Sequence, residues 1–224
     1  MIVSDLRDPN LDAGDAHHLD SVLRLRPGEP VGVTDGKGGY VQCLYGGRGT
    51  LIADGPVERA VSRTPHLTVG FAPVKGDRPE WAVQKLTELG VDRIVAFSSQ
   101  RTVVRWEAAR AASHLERLRR VARSALMQSR QRWLPDVDVV DGWRSLVAGG
   151  VGVALAQHGA PGPSGAVNTV LVGPEGGWSD EELRDAPLCV GLGEAVLRTE
   201  TAAVTAGVLL CSLRAGLVSP TRAG

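Results

Sequence analysis

The sequence predicts an α/β protein in which a small β-rich unit precedes a larger domain built on a mainly parallel sheet. Up to about residue 62, short apolar or alternating runs are separated by glycine-rich turns, the grammar of a small barrel. Beyond Pro65, apolar runs alternate with amphipathic stretches of helical period, which is how a chain of parallel strands and crossover helices reads. Two late segments, residues 172–179 and 192–202, each leave an apolar run through a tight loop and enter a helical stretch. Both loops therefore fall at the carboxyl edge of the sheet, where α/β proteins take up small ligands.

In the first unit, Asp15 is expected to cap a short helix in which Leu19, Val22 and Leu23 share a face, and Arg24-Leu25-Arg26-Pro27-Gly28 ends it. Strands follow at residues 30–34, 40–44 and 51–53, separated by Asp35-Gly36-Lys37-Gly38-Gly39, Gly46-Gly47 and Asp54-Gly55-Pro56. The composition shift near Pro65 divides the chain into residues 1–64 and 65–224. In the second domain a strand is expected at 66–72. Asp77-Arg78-Pro79-Glu80 then reads as a capping box, opening a helix that faces inward with Ala82, Leu86 and Leu89 and stops at Gly90. A strand at 93–97 leads to a long helix over about 107–129, with Leu115, Leu118, Val121, Ala122, Ala125 and Leu126 inward. Strands at 137–140, 151–156, 167–172 and 188–192 alternate with short helices, and residues 200–217 make the last helix.

With 224 residues the chain is long enough for a sizeable core, and its net charge of zero argues against a histone-like polycation. No long apolar stretch suggests a signal peptide or a membrane span, so a soluble cytoplasmic protein is expected. Cys43, Cys189 and Cys211 are odd in number, far apart and set among apolar residues, which reads as packed thiols. The five histidines lack ligand spacing, so no metal is expected.

Charge is distributed unevenly. Between residues 101 and 132 the chain carries Arg101, Arg105, Arg110, Arg117, Arg119, Arg120, Arg123, Arg130 and Arg132 against Glu107 and Glu116, a balance of plus seven. Lysine occurs only at positions 37, 75 and 85, and the planar guanidinium suits phosphates and stacked bases. The run reads either as an RNA-binding face or as a solvated helix face whose arginine stems cover apolar surface.

Gly173-Pro174-Glu175-Gly176-Gly177 allows backbone to approach a ligand closely, and Ser179 with Glu182 forms a capping box for the next helix. The loop lies too late in the chain for a dinucleotide fingerprint, and no Gly-Lys-Ser/Thr follows any glycine cluster.

Together with Leu192-Gly193-Glu194-Ala195-Val196-Leu197-Arg198-Thr199-Glu200-Thr201-Ala202, this loop resembles, nearly letter for letter, the two cofactor loops of the ribosomal RNA small subunit methyltransferase E family, which is similar to the wider SPOUT group. The resemblance extends to His17-His18-Leu19, Val22 to Gly28 and Asp35-Gly36-x-Gly38, which look like the family's PUA-like RNA-binding domain. Gln84 to Val91, Gln128-Ser129 and Pro135 look like its central part.

The resemblance implies a trefoil-knotted α/β domain that binds S-adenosyl-L-methionine and pairs as a homodimer. The implied reaction is methylation of N3 of a uridine of 16S rRNA within the assembled small ribosomal subunit. It places the cofactor against Leu171, Gly173, Pro174, Glu175, Gly176, Leu192 and Gly193, with Val196 and Leu197 as apolar wall. Glu175 either meets a positive group of the cofactor or braces the loop.

The uracil nitrogen must lose a proton, so a base or an anion-stabilising cation is required. Arg198 is the candidate cation; the alternative is a salt bridge to Glu194 or Glu200 that shapes the loop. Glu200 is the candidate base; the alternative is a charge–dipole role in the first turn of its helix. RNA contacts are expected at Arg24, Arg26, Arg101, Arg105, Arg117, Arg120, Arg123, Arg130 and Arg132.

The chain departs from the family pattern at Ser124, Gln131 and Ala195, where charged residues are usual. A catalytically silent RNA-binding assembly factor and a methyltransferase for another RNA are the competing readings; the intact Leu-Arg-Thr-Glu-Thr core favours catalysis.

Overall fold

The computed structural model describes residues 1–104, 106, 108–148 and 150–219. They form two compact units: Met1–Arg63 with Leu126–Leu134, and Thr64–Ala125 with Pro135–Gly224.

In the first unit, strands β1 (Pro30–Thr34), β2 (Gly39–Gly47), β3 (Thr50–Ala53) and β4 (Glu58–Arg59) form an antiparallel sheet in which β2 pairs with each of the others. Alternation along β1 and β2 turns Val31, Val33, Val41, Cys43 and Tyr45 inward against Val3, Leu6, Leu19 and Leu51. Helix α1 (Ala13–His17) is capped by Asp12, whose side chain accepts from the Asp15 amide at 2.7 Å, and not by Asp15 as the sequence suggested.

A π-helical turn, His18–Val22, follows. Its wider winding breaks the expected shared face: Leu19 is buried, whereas Val22 and Leu23 are exposed. The segment Leu126–Leu134 belongs to this unit through backbone bonds from Gly38 to the Arg132 carbonyl (2.8 Å) and from Leu134 to the Gly36 carbonyl (2.8 Å). Gly38 is required there, because a Cβ would lie 2.3 Å from the Trp133 ring.

The second unit is a six-stranded, wholly parallel sheet of β5 (Thr68–Phe71), β6 (Arg93–Phe97), β7 (Asp136–Val140), β8 (Val153–Ala156), β9 (Thr169–Val172) and β10 (Cys189–Val190), in the order β10-β8-β9-β5-β6-β7. Both faces are covered, as a parallel sheet requires. Val69, Phe71, Val170 and Val172 pack in one core with residues of α2 (Arg78–Leu89), α3 (Ala108–Ser129) and α6 (Thr199–Arg214). Phe97, Leu155 and Leu171 pack on the other side with Trp143, beside α4 (Arg144–Val147), and Trp178, beside α5 (Asp180–Asp185).

Several boundaries differ from the sequence reading. Val151 is 90% exposed and β8 starts only at Val153. β10 stops at Val190 because the next amide, Gly191, donates to the Pro161 carbonyl instead. The capping box at Asp77 does not form: its side chain caps nothing, and the Glu80 carboxylate is engaged by Arg117 at 2.8 Å. The stop at Gly90, in the left-handed conformation, and the Ser179/Glu182 capping box are present as the sequence indicated.

Candidate active site

Three loops leave the carboxyl ends of the neighbouring strands β10, β8 and β9 and enclose a cavity of about 230 Å³. It is lined by Ala156, Gln157 and His158 after β8, by Val172, Gly173, Pro174, Glu175, Gly177 and Trp178 after β9, and by Leu192, Gly193, Ala195, Val196, Leu197, Thr199 and Ala202 after β10. The loops are fastened to one another. Thr199 Oγ1 donates to the Gly173 carbonyl (3.1 Å), Trp178 Nε1 donates to the Ala156 carbonyl (3.0 Å), and His158 Nε2 lies 2.9 Å from the Glu194 carbonyl.

The β9 loop has a rigid base. Trp178 is buried, stacked on Phe97 at 5.9 Å and edge-on to Trp143 at 5.7 Å. Its ring lies so close to Gly173 that a Cβ there would sit 3.0 Å from it, so any larger residue at 173 would have to push the buried indole by a few tenths of an ångström. Glu182, fully buried, anchors the same loop. Its Oε2 accepts from the Ser179 amide (2.9 Å) and its Oε1 from the Gln100 amide (2.9 Å) and Trp143 Nε1 (3.1 Å).

Of the residues expected to hold the cofactor, Gly173, Pro174, Glu175, Leu192, Gly193, Val196 and Leu197 line the cavity together. Leu171 and Gly176 are not among its lining residues. The Leu171 side chain is buried in the core on the other side of the sheet, and the Gly176 carbonyl accepts from Arg101 Nη1 at 3.2 Å. His158, with Ala156 and Gln157, is not among the residues the sequence suggested for the site, where His158 was weighed only as a metal ligand.

Arg198 is exposed and forms neither of the salt bridges weighed for it; among the described residues its side chain has no ion pair or hydrogen bond. Its carbonyl accepts from Ala202 and starts α6. Glu200 is buried in the first turn of α6, with Oε1 3.5 Å from Arg78 Nη1 and Oε2 buried without a hydrogen-bond partner among the described residues. The same Arg78 nitrogen lies 3.1 Å from Glu175 Oε1.

The arginine run divides. Arg117 is paired with Glu80, Arg119 lies 3.8 Å from Asp138 and donates to the Val137 carbonyl, and Arg132 pairs with Glu58 (2.8 Å) over the Tyr40 ring. Arg123 is half-buried. Arg24, Arg26, Arg120 and Arg130 are exposed, and Arg105 lies outside the described residues.

A larger cavity, about 390 Å³, opens at the ends of β6 and β7 between Ser98, Ser99, Gln100, Asp141, Ser145 and Arg144. Neither glycine loop reaches it, and its guanidinium is already paired with Asp185 at 2.6 Å and Glu181 at 3.4 Å. The smaller cavity, with its apolar wall and converging backbone, is the better match to an adenosyl ligand.

Burial pushes the Cys43 and Cys189 thiols up, which makes both poor nucleophiles at neutral pH. Among the described residues no group of three or more His, Cys, Asp or Glu side chains is placed to hold a metal, and no helix is long and apolar enough to cross a membrane.

Residues 62–210 match the RNA methyltransferase domain model, and residues 11–46 match the RNA methyltransferase PUA domain model. A ribosomal RNA small subunit methyltransferase E from Mycobacterium bovis is 36% identical over 223 residues, covering 88% of this chain and 83% of that protein. The chain belongs to the ribosomal RNA small subunit methyltransferase E family. Among solved structures, a probable rRNA-methyltransferase from Porphyromonas gingivalis superimposes with a TM-score of 0.81 at 28% identity, covering 97% of this chain and 98% of that one. A family member from Neisseria gonorrhoeae, solved with S-adenosyl methionine bound, gives a TM-score of 0.75 at 28% identity, covering 91% and 90%.

Proposed function

We propose that this protein methylates N3 of a uridine in 16S rRNA of the assembled small ribosomal subunit, with S-adenosylmethionine as donor and the cavity behind β8, β9 and β10 as its site. The observation that carries this reading is the closure of both glycine loops on one cavity in a chain of this family, a member of which was solved with that cofactor bound. The residues fit the group. Val172, Leu192, Leu197 and Ala202 offer apolar wall, while the backbone of Gly173, Pro174, Glu175, Gly177, Leu192, Gly193 and Ala195 offers polar groups for the adenine and the methionine end.

When bound, S-adenosylmethionine supplies a methyl group already activated on a sulfonium. What the chain must do is exclude water, hold donor and uracil in line, and deal with the N3 proton. Glu200 is assigned as the acceptor of that proton. Its Oε2, without a hydrogen-bond partner among the described residues, supports the assignment; Glu200 does not itself line the cavity but stands between Thr199 and Ala202, which do. Arg198, exposed and with no ion pair among the described residues, is assigned as the cation that stabilises the uracil anion. With Glu200 taking the N3 proton and Arg198 holding the resulting anion, the bound sulfonium would supply the methyl group to N3.

RNA contact is assigned to Arg24, Arg26, Arg120 and Arg130, with the exposed Arg101 beside the β9 loop. The reading includes a cytoplasmic homodimer with the knotted chain end of the family.

The test is methyl transfer from labelled S-adenosylmethionine to small subunits lacking the modification, followed by nucleoside mass spectrometry. Formation of 3-methyluridine upholds the proposal. Cofactor binding without product on these subunits would overturn it in favour of another RNA or a silent binder.

A further inference from the structure

We propose that Arg78 is a positioning residue that couples the two cofactor loops through a single guanidinium. It sits in the first turn of α2, reached by the loop from β5, the strand next to β9. Nη1 makes a hydrogen bond of 3.1 Å to Glu175 of the β9 loop and lies 3.5 Å from Glu200 Oε1 at the start of α6. Nε donates to the Lys75 carbonyl at 3.1 Å, which fixes the arginine stem. Neither Arg78 nor Glu200 lines the cavity, so the effect of Arg78 on a ligand there passes through Glu175, which does, and through the first turn of α6, whose Thr199 and Ala202 also line it.

The charges make the arrangement directional. Two carboxylates face one cation, so without Arg78 the β9 loop and the first turn of α6 would present like charges to each other. Nη1 lies nearest Oε1 of Glu200, and Oε2 is buried without a hydrogen-bond partner among the described residues. Ordering of Glu175 by a bound cofactor therefore settles Arg78, and with it the orientation of Glu200. The same guanidinium nitrogen, Nη1, carries two N–H groups and so can face both carboxylates at once.

The inference rests on the reading of the cavity as the cofactor site. Its test is a double-mutant cycle on S-adenosylhomocysteine affinity by titration calorimetry, with Arg78→Met, Glu175→Gln and the double variant. Each single change is expected to weaken affinity by about tenfold, within the range of inter-site coupling, and the double variant is expected to be no weaker than Arg78→Met. Arg78→Lys, which keeps the charge, should recover most of the affinity. Hydrogen exchange at amides 173–177 and 199–203 should rise together in Arg78→Met.

Multiplicative losses in the cycle, or wild-type affinity in Arg78→Met, would overturn the coupling. Failure of the wild-type protein to bind S-adenosylhomocysteine would instead overturn the cofactor reading. Should Arg78→Met not fold, Arg78→Gln with Glu175→Gln runs the same cycle.

Discussion

Replacement of Glu182 by leucine isolates the contribution of a single buried carboxylate to holding the β9 loop. Its oxygens accept from three neutral donors: the Ser179 and Gln100 amides and the Trp143 indole. Leucine fills similar space and leaves all three without an acceptor. A buried unsatisfied donor costs about 1–3 kcal/mol, and three of them set the upper bound on the loss. Two effects reduce it. The buried charge no longer has to be desolvated, and Glu182 borders the larger cavity, from which water can reach some of these donors.

A net loss of about 3 kcal/mol remains, which for a chain of this size lowers the melting temperature by about 6–12 °C. Glutamine keeps an oxygen for Gln100 and Trp143 but turns an N–H toward the Ser179 amide. It should lose about 1–2 kcal/mol, and so roughly half the shift. Calorimetric melting of the three proteins, with S-adenosylhomocysteine affinity measured alongside, checks the series. A leucine variant melting within about 2 °C of wild type, or a glutamine variant as unstable as the leucine one, would refute the reasoning.

Arg198→Ala should abolish methyl transfer and leave cofactor and RNA binding within about twofold, because the side chain supports no other contact among the described residues; unchanged turnover removes it from the chemistry. Arg110→Ala with Arg120→Ala removes two exposed cations of α3 and should flatten the salt dependence of RNA binding by up to about 1.4–1.8 in log–log slope, whereas Arg117, tied to Glu80, should contribute less. Arg130 ends α3 with φ of 55°, so Arg130→Gly should raise stability by about 1 kcal/mol while weakening RNA binding, as read by melting and by filter binding. Burial raises the Asp35 carboxyl, but the Lys37 and Gly39 amides and the Arg59 guanidinium outweigh it and hold the group below its ordinary value. Its contribution to stability is thus present above the ordinary aspartate value near pH 4 and is lost as pH falls through the lowered one. Melting of wild type and Asp35→Asn should therefore differ at pH 7 and converge as acid is added; a gap that widens in acid would reverse the sign of the argument.

Much of the fold was legible because its signals are local. Gly90 stops α2 since a helix end needs a residue that tolerates the left-handed conformation, and Ser179 with Glu182 caps α5 since those two groups lie three residues apart. The β9 and β10 loops were legible as a pair for the same reason. Local pattern misled at Asp77 and Glu80, where the correct spacing for a capping box lost to an ion pair with Arg117 on another helix. It misled again at Val22 and Leu23, because a π-helical turn shifts the helical phase without any composition signal.

By itself, the sequence determined the α/β class, the order of strands and helices along the chain, and the two glycine loops that mark the cofactor site, since each depends on period or on neighbours a few residues apart. Only the tertiary structure decided which strands stand side by side. That order brought the β8 loop and His158 to the cavity, gave Arg198 no ion pair among the described residues, and set Arg78 against Glu175 across 97 residues. The physical reason is that a salt bridge or a cavity wall is fixed by strand order and packing in three dimensions, and neither leaves a periodic trace in one.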